Sequence, residues 1–247
     1  MVDPAKGYIS QAIFYSAHAL DNRMRYRQEE AESTFGSLFN GQSQQTNVQD
    51  DFDPSAPRLI FQTPHKQFLL SKNSSQLVLG FQDAEKSIFA QMDIVVDNIL
   101  RSLKKVADFS DCTGEVGFIL NFSFPSAADR SALSEAVFNK FLKMPKLHEV
   151  ASTSVKVGFQ TSAGLFLNIE SDVYELRRGQ MAGAAINLQT LDISKLELQE
   201  MGFSFKVDIN NKPRLGSGVE YLYEAKELIS AMKEFMQNQF GALVEFK

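Results

Sequence analysis

The sequence predicts an α+β protein made of two strand-rich, mostly antiparallel halves, each packed against one long amphipathic helix. Short apolar segments come in runs separated by brief turn sequences, and such runs favour antiparallel sheet over a doubly wound parallel sheet. Two long stretches, 84–108 and 217–240, carry apolar residues at helical spacing. The order of elements is similar before and after residue 125, which suggests a pseudo-repeat of pattern with little identity between residues.

Length and composition limit how the chain is organised. It has 247 residues, of which 44% are hydrophobic and 22% charged, and this apolar fraction excludes disorder throughout. Such a length fits one large domain or two small ones. We expect an N-terminal α+β half over 1–125 and a C-terminal α+β half over 126–247, packed together as one compact unit.

The first half opens with a strand, a short helix and a loop. Residues 12–20, AIFYSAHAL, are typical of a strand, and 27–39 predict a helix because apolar residues recur there at spacings of three and four. The polar stretch GQSQQTNVQDDFDPSAP follows at 41–57. It contains two prolines and has little to bury, so it predicts a mobile loop.

Three strands, a long helix and a further strand complete this half. The strands are RLIFQT at 58–63, QFLLSK at 67–72, QLVLGF at 76–81 and, after the helix, EVGFILNFSF at 115–124. The helix over 84–108 presents a continuous apolar stripe. Asp83 is its predicted N-cap, because a carboxylate at that position accepts hydrogen bonds from the free amides of the first turn.

The second half repeats this alternation. A short helix over 126–143 is stopped by Pro145. Strands are predicted at 154–162, 165–176, 184–192 and 202–209. The last helix covers 217–240, Gly241 is a natural C-terminal cap, and ALVEF at 242–246 is predicted to close the chain as a short strand.

Several of these segments resemble an uncharacterised, sporadically distributed bacterial family of similar length. The shared features are the strand series PRLIFQT…FLLSKNSSQLVLGF followed by a long helix, the strand GFSFKVDIN, and the closing helix YLYEAKELISAMKEFM. The likeness lies in the order of elements and spans most of the chain loosely. Families of this kind often lie near mobile or defence-related genes, so the resemblance implies a regulatory or interaction role. It carries over no catalytic residues.

The sequence contains no catalytic signature, nucleotide-binding loop or metal motif. His18, His65 and His148 lie far apart, and none has a metal-ligating partner at helical spacing, so we expect no metal site and no cofactor. Cys112 follows two aspartates, and nearby acidic residues raise the pKa of a thiol and suppress the reactive thiolate. An unreactive cysteine is therefore the favoured interpretation.

Two acidic residues are the best candidates for an enzyme. Glu170 and Asp172 share one face of a predicted strand, because side chains alternate along it with a period of two. Two carboxylates on one face can do acid–base work if they are held apart at the right distance. A polar outer sheet face explains them equally well. They belong to the alternative function, a small-ligand-binding protein or enzyme with a cavity between sheet and helices.

A basic cluster and one aromatic residue are the candidates for partner binding. Arg23, Arg25 and Arg27 would lie on one side of the first strand if that strand extended to Arg27, and such a row can contact an acidic partner or phosphates. Edge strands also use charge against aggregation, which explains the row without a partner. Phe52 lies in the acidic loop, where it is a suitable apolar anchor for a partner protein.

The sequence thus favours a cytosolic interaction or regulatory protein without enzymatic activity, such as an inhibitor, an antitoxin or a component of a bacterial defence complex. Its expected partner is another protein. The N-terminus lacks the features of a signal peptide, no apolar run approaches about 18 residues, and Cys112 is single, so we expect a cytoplasmic protein with no membrane partner. The net charge of −5 argues against nucleic acid, although a local arginine patch leaves that possibility open.

Overall fold

The computed structural model describes residues 4–178, 196–214 and 220–245. These residues form an α+β fold whose strands are all antiparallel, which confirms the predicted class. The strands are β1 (Tyr8–His18), β2 (Gln44–Gln45), β3 (Pro57–Thr63), β4 (Lys66–Ser71), β5 (Ser74–Leu79), β6 (Cys112–Pro125), β7 (Val155–Gln160), β8 (Phe166–Arg178) and β9 (Glu197–Asn210). The helices are α1 (Gln28–Phe39), α2 (Ile88–Phe109), α3 (Arg130–Phe141), α4 (Tyr221–Asn238) and α5 (Phe240–Val244).

One continuous sheet carries both halves of the chain. Its order is β2-β3-β4-β5-β1-β6-β9-β8-β7. The β3-β4-β5 meander lies on one side of the central β1–β6 pair, and β9, β8 and β7 lie on the other. Residue 125 is the last residue of β6, so the expected boundary between halves falls beside the centre of a shared sheet. The pseudo-repeat stays a prediction.

One face of the sheet packs against the helices. Along β6 every second side chain is buried, namely Val116, Phe118, Leu120, Phe122 and Phe124. Helix α2 contacts β1 and β5, whereas α4 contacts β6 and β9, so each half of the sheet is covered by one long helix. The buried apolar residues of both halves form a single core. Burial of this much apolar surface is the main source of stability for such a fold.

Helix α2 begins later than the sequence predicts. Ser87 caps it, because its hydroxyl accepts a hydrogen bond from the Ala90 amide at 3.2 Å. The predicted cap, Asp83, instead accepts from the Glu85 amide at 3.0 Å in the loop before the helix. Both residues belong to types that form caps, and the apolar stripe fixes the first turn only from Ile88 onward.

The C-terminus is a second departure from the sequence prediction. ALVEF is not a strand, because Phe240–Val244 form the short helix α5 directly after α4. Phe240 and Val244 are four residues apart, so a helix places both side chains towards the core. The centres of the Phe240 and Phe122 rings lie 4.5 Å apart. The strand predicted at 184–192 lies outside the described residues.

Among the residues that the structure describes, no helix has the length and apolar composition needed to cross a membrane.

Candidate functional site

The three arginines singled out above do not form a row on a strand. Strand β1 ends at His18, and Met24–Arg27 form a 3-10 turn with Met24 fully buried. The chain leaves the sheet because the Ala19 amide donates to the Asp111 carbonyl at 2.8 Å and the Asp21 amide donates to the Lys72 carbonyl at 2.7 Å. The strand placement predicted for Arg23, Arg25 and Arg27 is therefore wrong.

Arg27 is engaged within the protein. Its guanidinium donates to Asp21 at 2.8 Å, to Glu30 at 2.6 Å and to the main-chain carbonyl of Phe109 at 2.7 Å. The guanidinium carbon also lies 4.0 Å from the centre of the Phe109 ring. Arg27 thus joins the start of α1 to the end of α2. Such a side chain is unsuited to binding a partner, because these contacts would have to be broken first.

The Arg27 contacts lower the pKa of both acidic residues. For Glu30 the hydrogen bond from Arg27 is the largest cause. For Asp21, partial burial raises the pKa, but the hydrogen bonds from Arg27 and from the Arg23 amide together outweigh it. The resulting stabilisation is complete above the ordinary values of 3.8 and 4.5, and it is lost as the pH falls below them through the folded-state pKa values.

We expect Arg27→Met to lower the free energy of unfolding by about 1–2 kcal/mol near neutral pH, since most of the lost contacts are partly exposed. The difference from wild type should shrink at about pH 3. Urea unfolding at both pH values measures this. Arg101→Met is the control, because its ion pair with Asp97 is exposed on both sides. A difference that stays constant with pH would contradict the carboxylate contribution.

Arg25 holds the main chain of the loop between α1 and β3. Its guanidinium donates to the Thr46 carbonyl at 3.0 Å, to the Val48 carbonyl and to the Asp50 carboxylate at 3.1 Å. Arginine suits this task because its planar group carries several N–H donors in fixed directions. Arg25 is therefore a residue that positions the loop, and only part of its side chain is exposed.

Arg58 is the largest of the fully buried side chains, although it precedes the apolar part of β3. Its guanidinium donates to the main-chain carbonyls of Ala56 at 2.6 Å, Phe52 at 3.0 Å and Gln49 at 3.2 Å. A buried charge is costly unless hydrogen bonds compensate for its lost hydration. Here the carbonyl dipoles of a single loop supply most of that compensation, while the buried Nε has no hydrogen-bond partner among the described residues. The loop and the arginine thus stabilise each other.

Two further side chains fix the same loop. The Lys72 ammonium donates to the Asp50 carbonyl and to the Asn22 side chain at 3.4 Å. The Ser71 hydroxyl donates to the Ser55 carbonyl at 2.7 Å. The loop over 41–57 has little regular structure, and these bonds join it to the rest of the fold. The mobility predicted for it stays a prediction. The composition of the loop shows only that its own side chains have little to bury. It does not show that side chains outside the loop donate hydrogen bonds to its main-chain carbonyls.

The same loop presents exposed apolar groups at the surface. Phe52 is 60% exposed and Tyr26 is 70% exposed. The Tyr26 hydroxyl donates to the Asp50 carboxylate at 3.3 Å, which places its ring beside the loop. Leu20 and Arg23 are also exposed, on the segment that Lys72 joins to the loop through Asn22. We call Leu20, Arg23, Tyr26 and Phe52 together the Phe52 surface.

The acidic candidates, Glu170 and Asp172, lie on the face of the sheet that the helices do not cover. Ser171, between them, is buried on the helix-covered face, so Glu170 and Asp172 project from the opposite face, away from the helices. Glu170 lies across from Lys206 in the register and 3.9 Å from Lys156. These two lysines line a depression of about 120 Å³ with Glu170. The two carboxylates therefore do not line a cavity between sheet and helices.

Another carboxylate on this open face is held by two tyrosines. The hydroxyls of Tyr8 and Tyr174 donate to the same oxygen of Glu200, at 3.2 and 2.6 Å. Burial is the largest cause that raises the pKa of each tyrosine, and the Glu200 charge adds to it. Both phenols therefore stay protonated and act as hydrogen-bond donors, which makes them unsuited to work as bases.

His18 and the cysteine are likewise structural in their surroundings, whereas His65 and His148 are exposed. His18 is buried, and its Nδ1 lies 2.9 Å from the Ala19 carbonyl oxygen. Burial, with a smaller effect of Asp111, raises the pKa of the Cys112 thiol to about 11, so a reactive thiolate is not favoured. Within the described ranges, no three His, Cys, Asp or Glu side chains are grouped so that they could hold a metal ion.

One groove of about 460 Å³ lies between the β3–β4 turn, the β5–α2 connection and α2. Its Lys66 ammonium donates to the Leu38 carbonyl at 2.6 Å and to the Asn98 side chain at 3.2 Å. Gln91 accepts from the Ile9 amide at 2.6 Å and donates to the carbonyls of Asp83 and Lys86. The side chains of Lys66, Asn98 and Gln91 therefore already bind protein atoms and hold the walls of the groove in place.

No protein-family model, curated protein or solved structure matches the chain. The resemblance to a bacterial family stays a prediction.

Proposed function

We propose that this chain is a non-enzymatic interaction protein that binds another protein through the Phe52 surface. The observation that carries the proposal is the buried Arg58, which binds several carbonyls of the loop that exposes Phe52. A loop fixed before binding loses less conformational entropy when its partner arrives. Aromatic and arginine side chains are also the groups that most often dominate protein interfaces. Phe52, Tyr26 and Arg23 supply both kinds.

The chemistry of the surface indicates the kind of partner. Phe52 and Leu20 fit a shallow apolar pocket, and the Tyr26 hydroxyl keeps one end of its ring polar. The exposed Arg23 guanidinium favours an acidic group at the rim of that pocket. A cytoplasmic regulator, such as an inhibitor, an antitoxin or a defence component, would use a surface of this kind.

Nucleic acid is a weaker candidate for the same surface. Binding of phosphates depends on several cations that are free to contact them. Arg25, Arg27, Arg58 and Lys72 all donate to main-chain carbonyls of the protein itself. Arg23 is the cation that remains exposed on the Phe52 surface. One exposed arginine on a chain of net charge −5 gives little general affinity for phosphates.

Site-specific photocrosslinking in the native host tests the proposal. A benzophenone amino acid replaces Phe52 in one variant and Phe89 in the control variant. Phe89 is similarly exposed, at 54%, but lies on α2, away from the loop. We expect one discrete protein adduct at position 52 and none at position 89. Adding Arg58→Met to the position-52 variant should reduce this adduct, because the loop then loses its fixed conformation.

Two outcomes would contradict the proposal. One is the same set of adducts at positions 52 and 89, which would show non-specific contact. The other is the absence of a protein adduct at position 52. A position-52 adduct that nuclease treatment removes would assign the surface to nucleic acid instead. Mass spectrometry of the excised adduct identifies the partner in the expected case.

A further inference from the structure

The two edges of the sheet differ in how they are protected. At one edge the short strand β2 pairs with Leu59 and Ile60 of β3. The rest of the loop over 41–57 follows β2. At the other edge β7 is the last strand, and no described strand pairs with its outer side. Residues 156–160 are all exposed. An unprotected edge strand is a ready template for pairing with a further strand.

The hydrogen bonds of the β7–β8 hairpin show which main-chain groups of β7 point outward. The Thr161 amide donates to the Leu165 carbonyl at 2.8 Å, so Thr161 faces β8. Facing and non-facing residues alternate along an antiparallel ladder. Phe159 and Val157 therefore bond to β8. The N–H and C=O groups of Lys156, Gly158 and Gln160 point away from the sheet.

On the face of the sheet that the helices cover, the outermost strand β7 carries two apolar side chains that no described helix covers. Val157 is 41% exposed and Phe159 is 49% exposed, although both lie on the face that the helices cover elsewhere. They are on the same face as Leu167 and Ile169 of β8, their partners in the register. Two exposed apolar groups on an open edge are typical of a surface that another chain covers.

We infer that a second copy of this chain pairs with β7, in antiparallel register about a two-fold axis at Gly158. In this register Gly158 faces Gly158 of the second copy, and Lys156 faces Gln160. These are the residues whose main-chain groups point outward, so each pair exchanges both of its hydrogen bonds. Val157 then faces Phe159 in the closely spaced pairs between them. A β-branched side chain opposite an aromatic one is a favourable cross-strand pair.

The charges on β7 favour a second copy in this register. Lys156 is the one charged residue of the strand, and self-pairing about Gly158 places it opposite a neutral glutamine, so no like charges meet. Glycine at the axis leaves no pair of identical side chains facing each other on the open face of the sheet. The pairing leaves the Phe52 surfaces free, because their loop lies beside the opposite edge of the sheet. Its test therefore does not depend on the proposed function.

Sedimentation velocity of the full chain over a wide concentration range tests the pairing. Wild type should show reversible association from 27.7 kDa towards twice that mass. Val157→Lys places a charge opposite Phe159 of the second copy and should abolish the dimer. Leu176→Lys is the matched control, because Leu176 is exposed on β8 beyond the residues that pair with β7. It should dimerise like wild type. Equal melting temperatures for the two variants exclude misfolding as the cause.

Cysteine crosslinking tests the register itself. In a Cys112→Ser background, Val157→Cys and Phe159→Cys are made as separate variants and mixed under oxidising conditions. The mixture should give a disulfide-linked heterodimer much faster than either variant alone. A wild-type chain that stays monomeric at all concentrations would overturn the inference. So would a dimer that Val157→Lys leaves intact, since it would use another surface.

Discussion

Replacing Ile99 with aspartate should lower the free energy of unfolding by several kcal/mol, on the order of 3–5 kcal/mol. Ile99 has no exposed surface and lies in the middle of α2, within the single core that both halves of the chain share. A carboxylate in this apolar core must lose its hydration, take up a proton or force the helix away from the sheet. Urea unfolding followed by circular dichroism measures the loss.

The neighbouring residue provides the control for this substitution. Leu100 is 48% exposed on the outer side of the same helix turn. Leu100→Asp introduces the same side chain into the same helix, and it should change the free energy of unfolding by less than about 1 kcal/mol. If the two variants unfold alike, the assignment of the buried face of α2 is wrong, because helix propensity alone would then account for both.

The sequence is most informative where one physical signal covers many residues. The apolar stripe of α2 repeats through the helix, so its existence and buried face could be predicted together. The start of that helix could not, because Asp83 and Ser87 are both suitable caps and the choice depends on where the loop before them packs. Antiparallel pairing within β3–β4–β5 and within β7–β8 was likewise predictable, because short turns leave no room for crossovers.

Short segments at the ends of elements were harder to predict. Five residues such as ALVEF fit a strand by composition, and the contact of Phe240 with Phe122 that favours α5 joins residues far apart in the chain. Residues 12–20 fit one strand by pattern alone. The structure ends β1 at His18, because the amides beyond it bond to Asp111 and Lys72 in other loops. Contacts of this kind between distant residues produce no regular spacing of apolar residues that the sequence could show.

The sequence identifies Phe52 as a candidate for partner binding, but it does not show which arginines are free to bind a partner. Phe52 stood out because an aromatic residue in an acidic, aperiodic loop has no core to join. The charge of Arg25 and Arg27 marks them as candidates, but charge alone does not show whether a guanidinium binds a partner or the protein's own carbonyls. The role of Arg58 could not be predicted, because RLIFQT is typical of a strand and the burial of its first residue has no sequence signature.

Arg58→Met should lower the free energy of unfolding by roughly 2–4 kcal/mol, because a buried charged donor is removed from several partly buried hydrogen bonds at once. Methionine keeps much of the apolar stem, so the loss comes mainly from the hydrogen bonds. The loop over 41–57 should also become sensitive to protease, since Gln49, Phe52 and Ala56 lose their common anchor. Limited proteolysis with mass spectrometry locates the first cleavage, and urea unfolding gives the free energy.

Arg23→Met separates this effect from a general loss of positive charge. Arg23 is exposed, so its replacement should change the free energy of unfolding by less than about 0.5 kcal/mol and leave the protease sensitivity of the loop unchanged. Wild type should resist cleavage within 41–57 if Arg25, Arg58 and Lys72 fix the loop as the hydrogen bonds indicate. Rapid cleavage of wild type at these residues would instead support the mobile loop that the composition predicts. In that case Phe52 would be presented by a flexible segment, and binding through it would carry the full entropic cost of ordering the loop.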